Sequence, residues 1–111
     1  MKVLFNGNRL ERYTTRGLLK TLIAIELMNG EKGFNELQEN IRNDFELNVS
    51  PSALYNALDD LKKEGFVVDR SEGRRHYIRI ADSGRKWLER SIATMRFIVS
   101  FYEQKLRVQQ Q

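Results

Sequence analysis

The 111-residue sequence predicts a mainly helical fold with a small β-hairpin, an α+β class, and a long helix at its C-terminal end. Three observations predict it. Residues 50–64 read as a capped helix that stops at Gly65. Two short β-patterned runs, Phe66 to Arg70 and His76 to Ile80, flank a basic turn, Ser71-Glu72-Gly73-Arg74-Arg75. From Asp82 onward, apolar residues recur at heptad spacing. Helix, strand, basic loop, strand is the plan of a winged helix-turn-helix. In that plan the helix enters the DNA major groove and the loop reaches along the backbone.

Residues 1–13 fit an arm, an added strand over Lys2 to Phe5, or the start of the first helix, with Asn6-Gly7-Asn8 as a turn signal. Thr14 or Thr15 is the expected N-cap of helix one. Leu18, Leu19, Leu22, Ile23, Ile25 and Met28 follow at near-helical spacing, and Asn29-Gly30 closes the segment. This helix is apolar over most of its girth, so it should be central. Phe34 fits a very short strand and Asn35 a cap for helix two, whose buried face is Leu37, Ile41 and Phe45. Leu47 and Val49 bridge into helix three. Ser50 caps that helix, and Pro51 takes the first helical position, where its missing N–H costs nothing. Leu54, Leu58 and Leu61 form its inward stripe, with Ala57 allowing close approach. In the hairpin, Ile78 and Ile80 should face the core, opposite Tyr77 and Arg79.

Asp82 or Ser83 caps a last helix expected to run to about Arg107, ahead of a frayed Gln109-Gln110-Gln111 tail. Leu88, Ile92, Met95, Val99, Tyr102 and Leu106 are spaced as a heptad seam. Trp87, Ile98 and Phe101 broaden it. A helix this long overhangs so small a body and leaves apolar surface exposed. Part of the stripe should pack within the chain, since helix one needs partners; the six seam residues are also the expected interface of a homodimer, and C2 is the commonest symmetry. The expected organisation is an arm (1–13), a winged helix-turn-helix (14–81) and a dimerisation helix (82–108) in one compact unit.

Composition narrows the function. Apolar residues make up 41% of the chain, too many for a disordered one. With no cysteine there are no disulfides and no thiolate metal sites. One histidine and no Gly-rich phosphate loop leave neither a metal site nor a catalytic constellation, so no cofactor and no enzymatic activity are expected. Met1-Lys2-Val3-Leu4-Phe5 turns polar at Asn6 and does not read as a signal peptide. Leu18 to Met28 is too short and too interrupted to span a bilayer. A soluble cytoplasmic protein without a membrane partner is expected. The net charge of +4 divides unevenly: +3 over residues 1–30, −4 over 31–64 and +5 over 65–111. The basic turn suits DNA; the acidic middle segment does not.

Ser50, Ser52, Tyr55 and Asn56 are the candidate DNA-reading residues of helix three. An Asn amide pairs bidentately with adenine, while Ser and Tyr hydroxyls bind phosphate. The competing reading is a solvated face with Tyr55 packed on a neighbour. Arg70, Arg74 and Arg75 are the candidate wing contacts, to phosphates or the minor groove. The competing reading is a charged hairpin tip that keeps a sheet edge soluble. His76 and Trp87 fit structural roles better than a metal site or a ligand pocket.

Residues 18–102 resemble the PadR-like branch of winged-helix transcriptional regulators, close to the MarR group. The resemblance is carried by Gly33-Phe34-Asn35-Glu36-Leu37, by residues 50–58 from Ser50-Pro51 to Ala57-Leu58, and by Leu61-Lys62-Lys63-Glu64-Gly65-Phe66-Val67. It is carried also by residues 75–85, similar to the family's wing strand and Thr-x-x-Gly helix start, with Ala81 in place of the Thr. The resemblance implies a homodimer built by terminal helices and a roughly palindromic operator, sometimes under a small-molecule effector, which the sequence does not identify. A sequence-specific regulator of transcription, a repressor binding double-stranded DNA, is the leading expectation. The rival is a winged-helix protein-interaction module of a larger assembly, which the acidic middle segment favours.

Overall fold

The computed structural model describes residues 9–109, with side chains from Gly17 onward. Helices α1 (Arg9–Leu27), α2 (Phe34–Phe45) and α3 (Pro51–Lys63) precede an antiparallel hairpin of β1 (Val67–Glu72) and β2 (Arg75–Ile80). Helix α4 (Asp82–Gln109) ends the chain.

Helix α1 begins earlier than its capping chemistry suggests. It starts at Arg9, so Thr14 and Thr15 lie inside it rather than cap it, and the expected boundary at residue 14 falls within a helix. Arg9 to Arg12 are good helix formers, with no Gly or Pro to stop them. The rest of the expected arm, residues 1–8, lies outside the described residues. As expected, α1 is central: it touches α2, α3, α4 and β2. Its buried Leu19, Ile23, Ala24 and Leu27 meet Leu37 and Ile41 of α2, Leu54, Leu58 and Leu61 of α3, and Val67, Ile78 and Ile80 of the hairpin. Burying each large side chain of this kind contributes about 1.5–3 kcal/mol.

The start of α2 also departs from expectation. Its N-cap is Gly33, in extended conformation and without a side-chain cap, so Asn35 lies within the helix. Phe34 opens the helix instead of forming a strand. The strand-like residue is Lys32, whose N–H donates to Ile78 O at 2.9 Å while Ile78 N–H donates back at 2.8 Å. Backbone pairing with β2, rather than side-chain chemistry, decides where α2 begins.

Helix α3 follows its sequence signals. The Ser50 hydroxyl accepts from Ala53 N–H at 3.2 Å, and Pro51 occupies the first turn. Gln38 Nε2 donates to Val49 O at 2.7 Å, tying α2 to the turn that launches α3. The hairpin runs two pairs farther toward its tip than the expected end of its first strand at Arg70. Ser71 pairs with His76 and Glu72 with Arg75, leaving Gly73-Arg74 as a two-residue turn. Gly73 has φ 62°, the left-handed region that such turns require.

Helix α4 leaves the hairpin at close quarters. Ala81 N–H donates to Phe66 O at 2.9 Å, and Ser83 Oγ donates to Gly65 O at 2.8 Å. A Cβ on Gly84 would stand 2.1 Å from Phe66 O, so only glycine lets the helix pass there. Trp87 stacks on Phe66 with ring centroids 5.3 Å apart, a packing role. Beyond Met95 every described side chain of α4 is exposed. Leu88, read from the sequence as a dimer residue, is only 6% exposed and belongs to the core of its own chain. Ile92 packs partly on that core as well. The first turns of the heptad seam are therefore spent within the monomer, because α1 lies against them. Val99, Tyr102 and Leu106 are left open, with Phe97, Ile98, Phe101 and Val108 around them.

Candidate nucleic-acid interface

Helix α3 presents two faces of opposite character. Leu54, Ala57, Leu58 and Leu61 are buried, so Ser52, Tyr55, Asn56, Asp59 and Asp60 are turned outward. Ser50, Ser52 and Asn56 line an open groove shared with Lys20 of α1 and Asp60. Tyr55 lines a second groove on the other flank of α3, with Asn35 and Glu36 from the first turn of α2 and Arg75 and His76 from the hairpin. The exposed face of α3 thus lies between two grooves. The structure groups Ser50, Ser52 and Asn56, and separately brings Tyr55 to Arg75.

Tyr55 is packed on a neighbour and exposed at once. Its ring stacks on Phe34, centroids 4.2 Å apart, yet the residue stays 61% exposed. The stack fixes the ring and leaves an edge to the groove. His76 has its Nδ1 3.0 Å from Ser71 Oγ, a cross-strand polar contact beside the turn.

The three wing arginines are not equivalent. Among the described residues, Arg74 and Arg75 have no ion-pair partner; Arg74 sits in the turn and Arg75 opens β2. Arg70 is held by two carboxylates. Its guanidinium binds Glu31 through two nitrogens and Glu72 through the third at 2.8 Å, and it lies 4.7 Å from the centroid of the Tyr77 ring. The hydrogen bond from Arg70 also holds the Glu31 carboxyl below its ordinary range. The partner stands 39 residues earlier in the chain, so no local pattern reveals it.

Several carboxylates of the acidic middle segment are paired with cations. Asp59 pairs with Lys63 at 2.9 Å, Asp60 with Lys20 at 3.0 Å, and Lys62 with Asp69 of β1 at 2.6 Å. The first pair follows from helical i, i+4 spacing. The other two join α3 to α1 and to the hairpin, and sequence reasoning missed both. Lys20 sits among apolar positions of α1, and its departure from that pattern is the one signal that marks it. Among the described residues no cluster of side chains could hold a metal ion, and no helix is long and apolar enough to cross a membrane.

This architecture recurs in solved structures. A transcriptional regulator from Clostridium thermocellum superposes with a TM-score of 0.74 at 26% identity, over 83% of this chain and 93% of that one. A PadR family transcription regulator from Clostridium difficile matches with a TM-score of 0.73 at 22% identity, over 81% and 99%. The fold is that of the PadR-like winged-helix regulators. Bacillus subtilis PadR, solved in complex with operator DNA, shares it with a TM-score of 0.59 at 24% identity, over 68% of this chain and 46% of that one. No protein-family profile and no curated protein sequence matches the chain. Within that fold the hairpin is the wing and α4 is the long C-terminal helix.

Proposed function

We propose that this protein is a cytoplasmic, sequence-specific regulator of transcription, a repressor that binds a pseudo-palindromic operator as a homodimer. The observation that carries the reading is the shared groove of Tyr55 on α3 and Arg75 on the wing, beside a polar α3 face containing Asn56. A duplex seated there meets hydroxyl and amide groups from the helix and two guanidiniums from the hairpin, neither in an ion pair among the described residues. Ser50, Ser52 and Tyr55 are positioned to meet phosphate, Asn56 to meet a base edge, and Arg74 and Arg75 to follow the backbone. Asp59 and Asp60, the acidic pair on the outward face of α3, are each paired with a lysine, which offsets their charge beside the duplex. The likeness to a PadR seen on operator DNA supports the same reading.

The homodimer rests on α4. Met95, Val99, Tyr102 and Leu106 continue one stripe past the body of the protein, and the last three stand open to water. A second copy related by a twofold axis would cover them. It would also set two recognition helices on one face, which gives the operator its pseudo-palindrome.

A salt titration on random-sequence duplex tests the function. Affinity should fall steeply with salt, with a slope of about −0.9 per phosphate contacted. Replacing Arg74 and Arg75 by Ala should weaken binding to all duplexes alike and make the slope shallower by about one unit per lost contact. A protein that ignores duplex even at low salt would instead be an interaction module.

A further inference from the structure

We propose that Arg70 and Glu31 are positioning residues that brace the wing against the body of the protein, rather than a phosphate contact and a bystander carboxylate. The inference rests on reading the hairpin as the element that meets DNA.

The hairpin is a two-stranded ribbon, a kind of element with little stability of its own. At its base it is fastened by buried Val67, Ile78 and Ile80 and by the backbone pair of Lys32 with Ile78. Farther out the core ends and ion pairs take over. Asp69 binds Lys62 of α3 at 2.6 Å. The next residue, Arg70, points to the opposite face, as alternation along a strand requires. There it binds Glu31 in the α1–α2 connection, with its Nε 3.0 Å from Glu31 Oε2 and a second nitrogen on the other oxygen. Two neighbouring residues thus grip the ribbon from both sides.

The register makes the second grip the outer one. Arg70 lies opposite Tyr77; beyond it come only Ser71 with His76, Glu72 with Arg75, and the Gly73-Arg74 turn. At about 3.4 Å per residue the tip stands roughly 10 Å past the brace. A small tilt at Arg70 therefore becomes a larger displacement of Arg74 and Arg75 relative to Tyr55 and Asn56. Arg70 itself is poorly suited to hold phosphate. Two carboxylates already occupy its fork, and the Tyr77 ring lies against it. A fork that binds Glu31 with two nitrogens fixes direction as well as distance, which a lysine ammonium would not.

Replacing Glu31 by Gln separates the alternatives by sign. Without a brace, the change removes a negative charge near the duplex and frees Arg70, so DNA binding should tighten. With a brace, the wing loosens and binding should weaken by about two- to fivefold, the range set by an exposed ion pair. Arg70→Gln should produce a similar loss, and the double variant should add little, because both changes break one interaction. Tighter binding by Glu31→Gln, or additive losses in the double variant, would overturn the proposal.

A second readout needs no DNA. Amide relaxation at Gly73 and Arg74 in the free protein should report greater mobility in Glu31→Gln than in wild type, with the core amides unchanged. Equal mobility would refute the brace even if DNA binding changed. Failure of wild-type protein to bind any duplex would remove the DNA reading, while the relaxation result would still decide whether Glu31 and Arg70 hold the wing.

Discussion

Helices α3 and α4 carry the same kind of apolar stripe, yet the fold uses them differently. In α3 every stripe residue is consumed at home: Leu54, Ala57, Leu58 and Leu61 are all buried. In α4 the stripe starts in the core with Leu88 at 6% exposure, and Val99 and Tyr102 farther along are 52% and 61% exposed. Periodicity tells which face of a helix is apolar; it does not tell what covers that face. The cover depends on where the body of the protein stops, and α4 is about 42 Å long at 1.5 Å per residue. The body reaches only its first turns. The outer faces differ as well. Among its outward side chains α3 shows hydroxyl, amide and carboxylate groups. The far end of α4 adds Phe97, which stacks on Phe101 at 6.4 Å and stands 70% exposed.

The largest expected effect tests the α4 side of this contrast. Changing Val99 and Tyr102 to Glu together should abolish the dimer in sedimentation velocity while leaving helical content and the thermal transition of the winged body nearly intact. An uncompensated charge buried at an interface costs about 3–5 kcal/mol, and two per chain exceed what a modest seam supplies. A dimer of unchanged sedimentation would show that the exposed part of the stripe is simply solvated, and the contrast with α3 would lose its meaning.

Helix α1, on which both helices pack, supplies a control that separates folding from assembly. Glu26 is only 6% exposed. Burial first, then a hydrogen bond with Asp44 and that residue's charge, raise its pKa from 4.5 to about 7, against the opposing charge of Lys32. The folded state thus holds the Glu26 proton more tightly than the unfolded chain does. Its contribution to stability is complete below pH 4.5 and is lost as pH rises through 7. The full loss is about 3 kcal/mol, from 1.36 kcal/mol per unit. Glu26→Gln keeps a donor for Asp44 without the titration. Denaturant midpoints should show the variant more stable than wild type at pH 8 by up to that amount, and nearly equal at pH 4. Its dimerisation should not change. Equal pH dependence in both proteins would mean that Glu26 is solvated or otherwise compensated.

Sequence chemistry resolved what is local. Ser50-Pro51 set the start of α3, the Gly73 turn set the hairpin, and the inward stripes of α1, α2 and α3 set the core, because each depends on residues within a few positions. It failed where distant backbone or side chains decide. Gly33 rather than Asn35 precedes α2 because Lys32 pairs with Ile78. Arg70 looks like any wing arginine until Glu31 is brought beside it. Leu88 and Tyr102 hold equivalent places in one heptad pattern, and only the position of α1 assigns the first to the core.

The smallest expected effect lies on the outward face of α3 and sharpens the contrast from that side. Asn56 is exposed beside Ser52, about two turns from the Ser50 cap, and its amide can offer a donor and an acceptor to one base edge. Asn56→Ala should cost about 1–3 kcal/mol on the preferred operator and much less on random duplex. Tyr55→Phe removes only a hydroxyl and leaves the stack on Phe34 in place, so it should cost less and act on all sequences alike. The two variants together distinguish reading from holding. If α3 selects the site, the ratio of operator to random affinity should collapse in Asn56→Ala and survive in Tyr55→Phe. An unchanged ratio in Asn56→Ala would place selectivity outside this face of α3, and the wing would be the next element to vary. Measuring both ratios at one salt concentration is essential, because the phosphate contribution common to all sequences falls steeply with salt while base discrimination does not.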